Sequence, residues 1–399
     1  MILLKAKFIS NILKLNYKSF IKEVLLHIRD LLIWVFDRFF MILKKNEDSN
    51  SIVIVRVDNI GDFVLWLPSA KQLISHYTTE IKPILVCNES CIDLAASINY
   101  FSRVIGVDLS KFSRNFLYRW HILCSISELS PHIIIQPSYS RVFSTGDSII
   151  RVSRASQRIG SIGDLSNISS IRRVISNRWY TRLVPVSSSN LMELERNTEF
   201  NINLGINFSQ TSIPKLPVLC KLSSVHLTNQ NFFVIFPGSS SAYKSWPVAS
   251  FAKIAIRIVE TYGWTPVILG GFHEFSIGEQ LEEKLIKYSP KNYVGKTTLT
   301  ELVEILRSAR VLVSNDTSAV HIAASVNTPS ACILGGGHYG RFLPYPDTID
   351  GIKPAVVINK MSCFGCNWHC KFSNETSLPY PCISRIEVDS VFETVENIV

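Results

Sequence analysis

The stretch Ser51-Ile-Val-Ile-Val-Arg56-Val-Asp58-Asn-Ile-Gly61-Asp62-Phe-Val-Leu-Trp-Leu-Pro68 decides how the chain is read. Its first seven residues are short, β-branched and largely apolar, which suits a strand buried within a parallel sheet. The strand leaves through Asp-Asn and Gly61 into a helix expected from about Phe63. Gly61 permits an unusual backbone angle and the close approach of a ligand, and Asp62 stands at the expected helix start. A carboxylate there has two readings. It caps the helix by accepting from free N–H groups, or it takes a proton from an attacking hydroxyl.

Further strand-like runs follow at Pro83 to Cys87, Arg103 to Val107 and His132 to Gln136, with helix-length stretches between them. This is the pattern of repeated βα units in a doubly wound parallel sheet. From Ser138 to about Gln230 the periodicity weakens and Ser, Asn, Pro and Arg accumulate, which places a linker near 210 to 230. A second series begins at Phe232 to Phe236 and continues at Pro266 to Leu269, Val311 to Ser314 and Ser330 to Leu334. A chain of 399 residues, 47% hydrophobic, accommodates two such domains. The division read here is a leader over 1–47, an N-terminal domain over 48–220 and a C-terminal domain over 221–399. Two Rossmann-like halves imply a cleft between them, with ligands beyond the carboxyl ends of the strands.

Three more segments carry chemistry. In Phe236-Pro-Gly-Ser239-Ser240-Ser-Ala-Tyr-Lys244-Ser-Trp246-Pro247, a Gly/Ser loop precedes a helix expected over Val248 to about Tyr262. Such a loop makes an anion pocket, to which Lys244 adds positive charge, or it is a plain solvated turn. In Val313-Ser-Asn-Asp316-Thr317-Ser318-Ala319-Val-His321 a strand ends and a small-residue helix opens. Its N-terminus can approach a phosphate closely without a metal. His321 is then either a ligand contact or a histidine satisfied within the core. In Leu269-Gly-Gly-Phe-His-Glu274, Glu274 is placed to accept ribose hydroxyls, or is a surface residue. The sequence contains no Asp-x-Asp metal motif, no Walker A loop, no G-x-S-x-G elbow and no proper G-x-G-x-x-G, Gly335-Gly-Gly337 being a triple-glycine turn rather than a dinucleotide fingerprint.

Taken together, the Arg, Gly-Asp and Leu-Pro start, the Pro-Gly-Ser loop ending in Lys-x-Trp-Pro, and Asn-Asp-Thr-x-x-x-His-x-Ala-Ala resemble the heptosyltransferase-like family, glycosyltransferase family 9. The resemblance covers about residues 51 to 395. It implies a GT-B fold and inverting, metal-independent transfer of a sugar, typically heptose from ADP-heptose, to lipopolysaccharide or another surface glycan. It also implies Asp62 as general base, Gly61, Ser239, Ser240 and Lys244 at the diphosphate, and Asp316, Thr317, Ser318 and His321 on the nucleotide helix. Glu274 is implied at the ribose. Ser318 departs from the glycine the family usually has there. The stretch Gly335-Gly-Gly-His-Tyr-Gly-Arg341-Phe-Leu-Pro344 is similar to the family's donor-side loop. The rival readings are a GT-B sugar-nucleotide epimerase, which needs no acceptor, and a non-catalytic nucleotide-sugar binding protein.

The net charge of +9 is concentrated in residues 1–46, where Lys5, Lys7, Lys14, Lys18, Lys22, Arg29, Arg38, Lys44 and Lys45 outnumber Glu23, Asp30 and Asp37. Basic charge confined there, with no interleaved aromatics in the core, speaks against nucleic acid. From Phe20 to Phe40 apolar residues recur at helical spacing, so an amphipathic helix is expected. Its uncharged stretch is too short to span a bilayer and no cleavage site follows. One reading lays it on the inner-membrane surface with Trp34, Phe36, Phe39 and Phe40 dipping inward, making the protein cytoplasmic and peripheral. The other packs it on the domain. Five cysteines are scattered and read as small hydrophobes. Cys363, Cys366, Cys370 and Cys382 are clustered, which suits a structural zinc, plain thiols in a packed loop, or a redox or iron–sulfur role. No cofactor is expected for catalysis.

Overall fold

The computed structural model describes residues 28–29, 31–37, 49–77, 82–187, 190–207, 210–221, 231–372 and 378–399. Strands β1 (Ser49–Arg56), β2 (Ile84–Asn88), β3 (Arg103–Val107), β4 (Pro131–Gln136), β5 (Gln157–Ser161) and β6 (Arg182–Val184) form one sheet in the order β3-β2-β1-β4-β5-β6. Strands β7 (Phe232–Phe236), β8 (Thr265–Ile268), β9 (Lys291–Asn292), β10 (Leu312–Asn315), β11 (Ser330–Ile333) and β12 (Ala355–Val357) form a second sheet in the order β12-β11-β10-β7-β8-β9. All neighbours within each sheet are parallel. Both sheets have the doubly wound order whose direction reverses beside the first strand, and that reversal is where such sheets open a crevice.

The helices that matter for the site follow those strands. Helix α1 (Ile60–Tyr77) leaves β1, and α2 (Phe116–Leu129), α3 (Ser170–Asn177) and α4 (Glu193–Leu204) complete the N-terminal layers used below. Helix α5 (Val248–Tyr262) follows β7, α6 (Ser318–Ser325) follows β10, and α7 (Val388–Ile398) closes the chain. Helix α1 begins at Ile60, a turn earlier than Phe63, so Gly61 and Asp62 lie in its first turn. Pro68 sits inside α1 and cannot donate to the ladder. Two asparagines of α4 serve the carbonyls around it: Asn197 Nδ2 donates to Leu65 at 3.5 Å and Asn201 Nδ2 to Ser69 at 2.9 Å.

One apolar cluster runs without a break from Phe63 and Trp66 of α1 to Ala319, Val320 and Ala323 of α6. The two domains therefore meet at the starts of these two helices. The proposed boundary near 220 falls beside residues 222–230, outside the described residues. So do Phe39, Phe40 and most of the leader. Residues 31–37 are helical and dock on the N-terminal domain. Asp37 accepts from Arg119 Nε at 2.8 Å and Nη2 at 2.5 Å, both side chains being buried. Phe36 packs edge-on against Phe116 and Trp120 of α2, and Arg151 lies over Trp34. Of the two readings of this helix, these contacts show the one that packs it on the domain, and the reading in which Trp34 and Phe36 dip into a membrane is corrected: a charged pair drawn from both elements fixes the rotation, and these two aromatic residues turn inward. Among the described residues no helix is long and apolar enough to cross a membrane.

Candidate active site

The site forms where β1, β7 and β10 end. Arg56, the last residue of β1, is 1% exposed and organises the N-terminal side. Its Nε pairs with Asp58 at 2.8 Å, and its Nη2 pairs with Glu193 at 3.2 Å and donates to the Asp62 carbonyl at 3.2 Å. Its Nη1 donates to Asn197 Oδ1 at 3.3 Å, and its guanidinium lies 5.8 Å from the Trp66 ring. A buried arginine needs such partners, because an unpaired charge in a low-dielectric interior is costly. Three carboxylates, Asp58, Asp62 and Glu193, crowd this region. Desolvation, followed by the charges of Asp58 and Glu193, pushes Asp62 up to about 7, against the opposing pull of Arg56 and Arg341. A carboxylate so tuned accepts a proton near neutral pH.

Asp62 meets the C-terminal domain through its neighbour. A Cβ on Gly61 would lie 3.2 Å from the His321 ring and 3.6 Å from Ser318 Cα, so glycine lets the two helix starts touch. His321 is buried, its Nδ1 hydrogen-bonds the Tyr345 hydroxyl at 2.9 Å, and the two rings stack. Burial pushes it down to about 4. It is a neutral wall of the junction. At the start of α6, Thr317 turns its hydroxyl to Ser314 at 3.2 Å and no side chain caps the helix. An uncapped N-terminus attracts an anion. Burial raises the Asp316 carboxyl and the Lys244 ammonium opposes the rise, which puts these two within electrostatic reach.

The Pro-Gly-Ser loop is tied to β10 by Asn315, which is fully buried. Its Nδ2 donates to the carbonyls of Pro237 at 2.8 Å and Gly238 at 3.1 Å, and its Oδ1 accepts from Trp246 N–H at 3.0 Å. Ser239 Oγ turns back on the Ser241 carbonyl at 3.3 Å, and Ser240 lies on the loop's exposed side. Glu274 is pinned by Gly271 N–H at 2.6 Å and lies hard against Gly238, where any Cβ would collide with its carboxylate. Its position at the end of β8 brings it to the same loop. Desolvation raises its pKa, and the Gly271 N–H opposes that rise.

A cavity of about 330 Å³ opens between the domains beside this cluster, lined by Tyr139, Glu193, Arg196, His338, Arg341 and Asn367 among others. Glu193 belongs to both the cavity and the Arg56 cluster. Arg341 joins the domains, donating from Nη2 to Ser140 Oγ at 2.8 Å, and its carbonyl accepts from Glu193 N–H at 2.8 Å.

The cysteine loop forms one wall. Gly365 and Asn367 donate their N–H groups to Gly336 and Gly337 at 2.7 and 2.9 Å, and Phe364 and Trp368 fill the space any Cβ on Gly335, Gly336 or Gly337 would need. Lys244 Nζ lies 4.8 Å from the Trp368 ring. Partial desolvation and the neighbouring Cys366 and Cys370 raise the Cys363 thiol. Cys382 is raised by burial and, further, by the other three. The four are neighbours, yet among the described residues no group of three or more His, Cys, Asp or Glu side chains is gathered to hold a metal ion. Aromatic packing on the glycine floor, rather than the thiols, sets the loop.

The expected residues divide into two groups: Gly61, Asp62, Ser318 and His321 at the junction, and Ser239, Ser240, Lys244, Glu274, Asp316 and Thr317 on the C-terminal side. Asp58, Glu193 and Asn315 were not singled out from sequence, and Arg341 was named only as part of the stretch similar to the family's donor-side loop. Asp58 and Asn315 were within quoted motifs but read as turn and strand end.

Two doubly wound domains meeting at a raised carboxylate and an uncapped helix start define the GT-B class of architecture. Residues 180–366 match the model of glycosyltransferase family 9 (heptosyltransferase). Lipooligosaccharide heptosyltransferase 2 of Haemophilus influenzae is 32% identical over 95 residues, which is 23% of this chain and 27% of that protein. The chain spans between about a quarter and a half of the length of the curated relatives it matches. Among solved structures, the family 9 glycosyl transferase of Veillonella parvula aligns with a TM-score of 0.66 at 18% identity, covering 88% of this chain and 97% of that one. Heptosyltransferase WaaC of E. coli, in complex with ADP-2-deoxy-2-fluoro heptose, aligns with a TM-score of 0.63 at 16% identity, covering 87% and 99%. Over the matched residues, just under half of its length, the chain is similar to glycosyltransferase family 9.

Proposed function

We propose that the protein is an inverting glycosyltransferase that moves heptose from ADP-heptose to a lipopolysaccharide or other surface-glycan acceptor without a catalytic metal. The observation that carries this reading is Asp62, raised to about 7 at the domain junction and adjacent in sequence to Gly61, which packs against the start of α6. In the reaction, Asp62 takes the proton of the acceptor hydroxyl as that oxygen attacks the anomeric carbon and the bond to the diphosphate breaks. The departing diphosphate is stabilised by the N-terminus of α6, by Ser239, Ser240, Thr317 and Ser318, and by Lys244. Glu274 accepts from the ribose, Asp316 orients Lys244, and His321 holds the junction with Gly61. Glu193 and Arg341 line the acceptor side. The matched relatives named as heptosyltransferases and the ADP-heptose analogue bound by WaaC favour this donor.

A lipid-linked acceptor places the protein on the cytoplasmic side of the inner membrane. Cys363, Cys366, Cys370 and Cys382 supply the donor chemistry and number of a structural zinc, which would brace the loop behind Lys244. They are not gathered as they stand, so no step of the reaction runs through them. Metal analysis of the purified protein at near-stoichiometric zinc supports this assignment, and protein free of zinc and iron removes it.

The test of the main reading is calorimetric titration with ADP, UDP and GDP, without added metal, on the wild type and Asp316→Ala, followed by product analysis with ADP-heptose. The proposal expects binding selective for ADP, weakened in the variant, and product only when acceptor is present. Turnover without acceptor would turn the reading to an epimerase, and failure to bind any nucleotide would overturn it.

A further inference from the structure

We propose that α3 and the leader helix together form a contact surface for an anionic phospholipid leaflet, a proposal that rests on the lipid-linked-acceptor reading above. Helix α3 is built inside out. Ile171, Val174 and Ile175, at i, i+3 and i+4, form one stripe and are 75%, 58% and 37% exposed, whereas Ser176 is fully buried. A helix on the surface of a soluble domain normally turns the apolar stripe inward. The leader buries Ile33 and Asp37 and packs Phe36 on the domain, yet it also leaves a second apolar stripe outward: Ile28, Leu31, Leu32 and Val35, at i, i+3, i+4 and i+7, Leu31 being 59% exposed.

The two helices are brought near one another by Arg151. The Arg151 guanidinium lies 5.2 Å from the Trp34 ring of the leader and 5.0 Å from the ring of Trp179, two residues beyond the end of α3. Its Nη1 also donates to the Trp34 carbonyl at 3.4 Å. Contiguous exposed apolar surface marks an interaction site. Charge selects the partner. Helix α3 contains Arg172 and Arg173, is followed by Arg178 and has no acidic residue, and the adjoining leader sequence is rich in lysine. Apolar stripes edged with cationic side chains fit the headgroup region of an anionic bilayer rather than a neutral one.

The placement also suits the chemistry. The loop that leads into α3 borders the interdomain cavity through Asp164 and Ser166, and Arg173 Nη1 donates to the Gly163 carbonyl of that loop at 3.4 Å. A sugar tethered to a lipid headgroup would therefore enter beside the surface that holds the membrane.

The test is flotation of the full chain with vesicles of phosphatidylcholine alone and of phosphatidylcholine with phosphatidylglycerol. The double variants are Ile171→Ser with Val174→Ser, and Leu31→Ser with Leu32→Ser. These side chains are exposed, so both variants should keep the wild-type melting temperature. The expected result is wild-type binding only to the phosphatidylglycerol vesicles, weakened by salt, with each double variant losing about tenfold in partitioning. ADP titration of the same proteins reads the donor site separately: unchanged ADP binding with lost flotation supports the surface, and lost ADP binding with intact flotation would sink the glycosyltransferase reading alone. Wild type that ignores anionic vesicles, or variants that bind them equally, would overturn the proposal. So would an oligomer in sedimentation that the α3 variant dissociates, since the face would then join copies of this chain.

Discussion

After β1 the chain gathers Arg56, Asp58 and Asp62 with Glu193 and Arg341, whereas the matching turns after β7 and β10 are held by Asn315, serine and threonine hydroxyls and backbone amides. The first side is dense in ionised groups, and burial together with the repulsion of Asp58 and Glu193 lifts one carboxylate to about 7. The second is mostly neutral, with Lys244, Glu274 and Asp316 as its charges, and offers dipoles to an anion. Proton transfer needs a group whose affinity can be tuned by neighbours, and carboxylates tune one another strongly at short range. Holding a diphosphate needs fixed donors with little reorganisation, which helix termini provide. The contrast fits the proposed division, with proton transfer on one wall and binding on the other.

The largest expected effect separates the two walls. Asp62→Asn should lower kcat by about 100-fold or more and leave ADP affinity near the wild type. Loss of both together would erase the distinction. Next comes Asn315→Ala, which leaves the Pro237 and Gly238 carbonyls and the Trp246 N–H without their partner. It should cost about 1–3 kcal/mol of stability and weaken ADP binding, measured by denaturant melts and calorimetry. A variant that melts normally would mean Asn315 does not hold the loop.

A smaller effect follows from linkage. Asp62 is raised in the folded state above its unfolded value of about 3.9, so ionising it costs stability, and that cost appears as pH climbs from about 4 through about 7. Asp62→Asn should therefore melt higher than the wild type at pH 8, by roughly 2 °C or more, with the gap closing near pH 4. A variant that melts lower at pH 8 would mean that Asp62 is stabilised by its setting, as a plain cap would be.

Much of the fold was legible because its strands are buried on both faces. Arg103–Val107 and Phe232–Phe236 were read to the residue, and α5 with them. Strand β5, Gln157–Ser161, lacks a continuous apolar run, and β6 has three residues, so neither stood out. Helix α4 was invisible for a different reason. Its buried residues include Glu193, Arg196, Asn197 and Asn201, which are inside because they serve Arg56 and the carbonyls around Pro68. A periodicity search looks for apolar stripes and passes over a helix whose inner face is polar. Asp62 could be found from its turn, but its tuning depends on Glu193, a residue 131 positions away in sequence. The leader stayed open between two readings for the opposite reason: its apolar pattern was plain, but the rotation set by Asp37 on Arg119 could not be read from the pattern.

The central claim, that Asp62 is a base tuned by its carboxylate neighbours, is tested most directly by the pH dependence of kcat/KM for the wild type and Glu193→Gln. Asp62 works only when unprotonated, so the wild-type rate should fall below a midpoint of about 7. Removing the Glu193 charge should move that midpoint downward, because one repulsion is lost and Arg56 is left to favour the ionised aspartate. A wild-type midpoint in the ordinary carboxylate range, or one that Glu193→Gln leaves in place, would contradict the account.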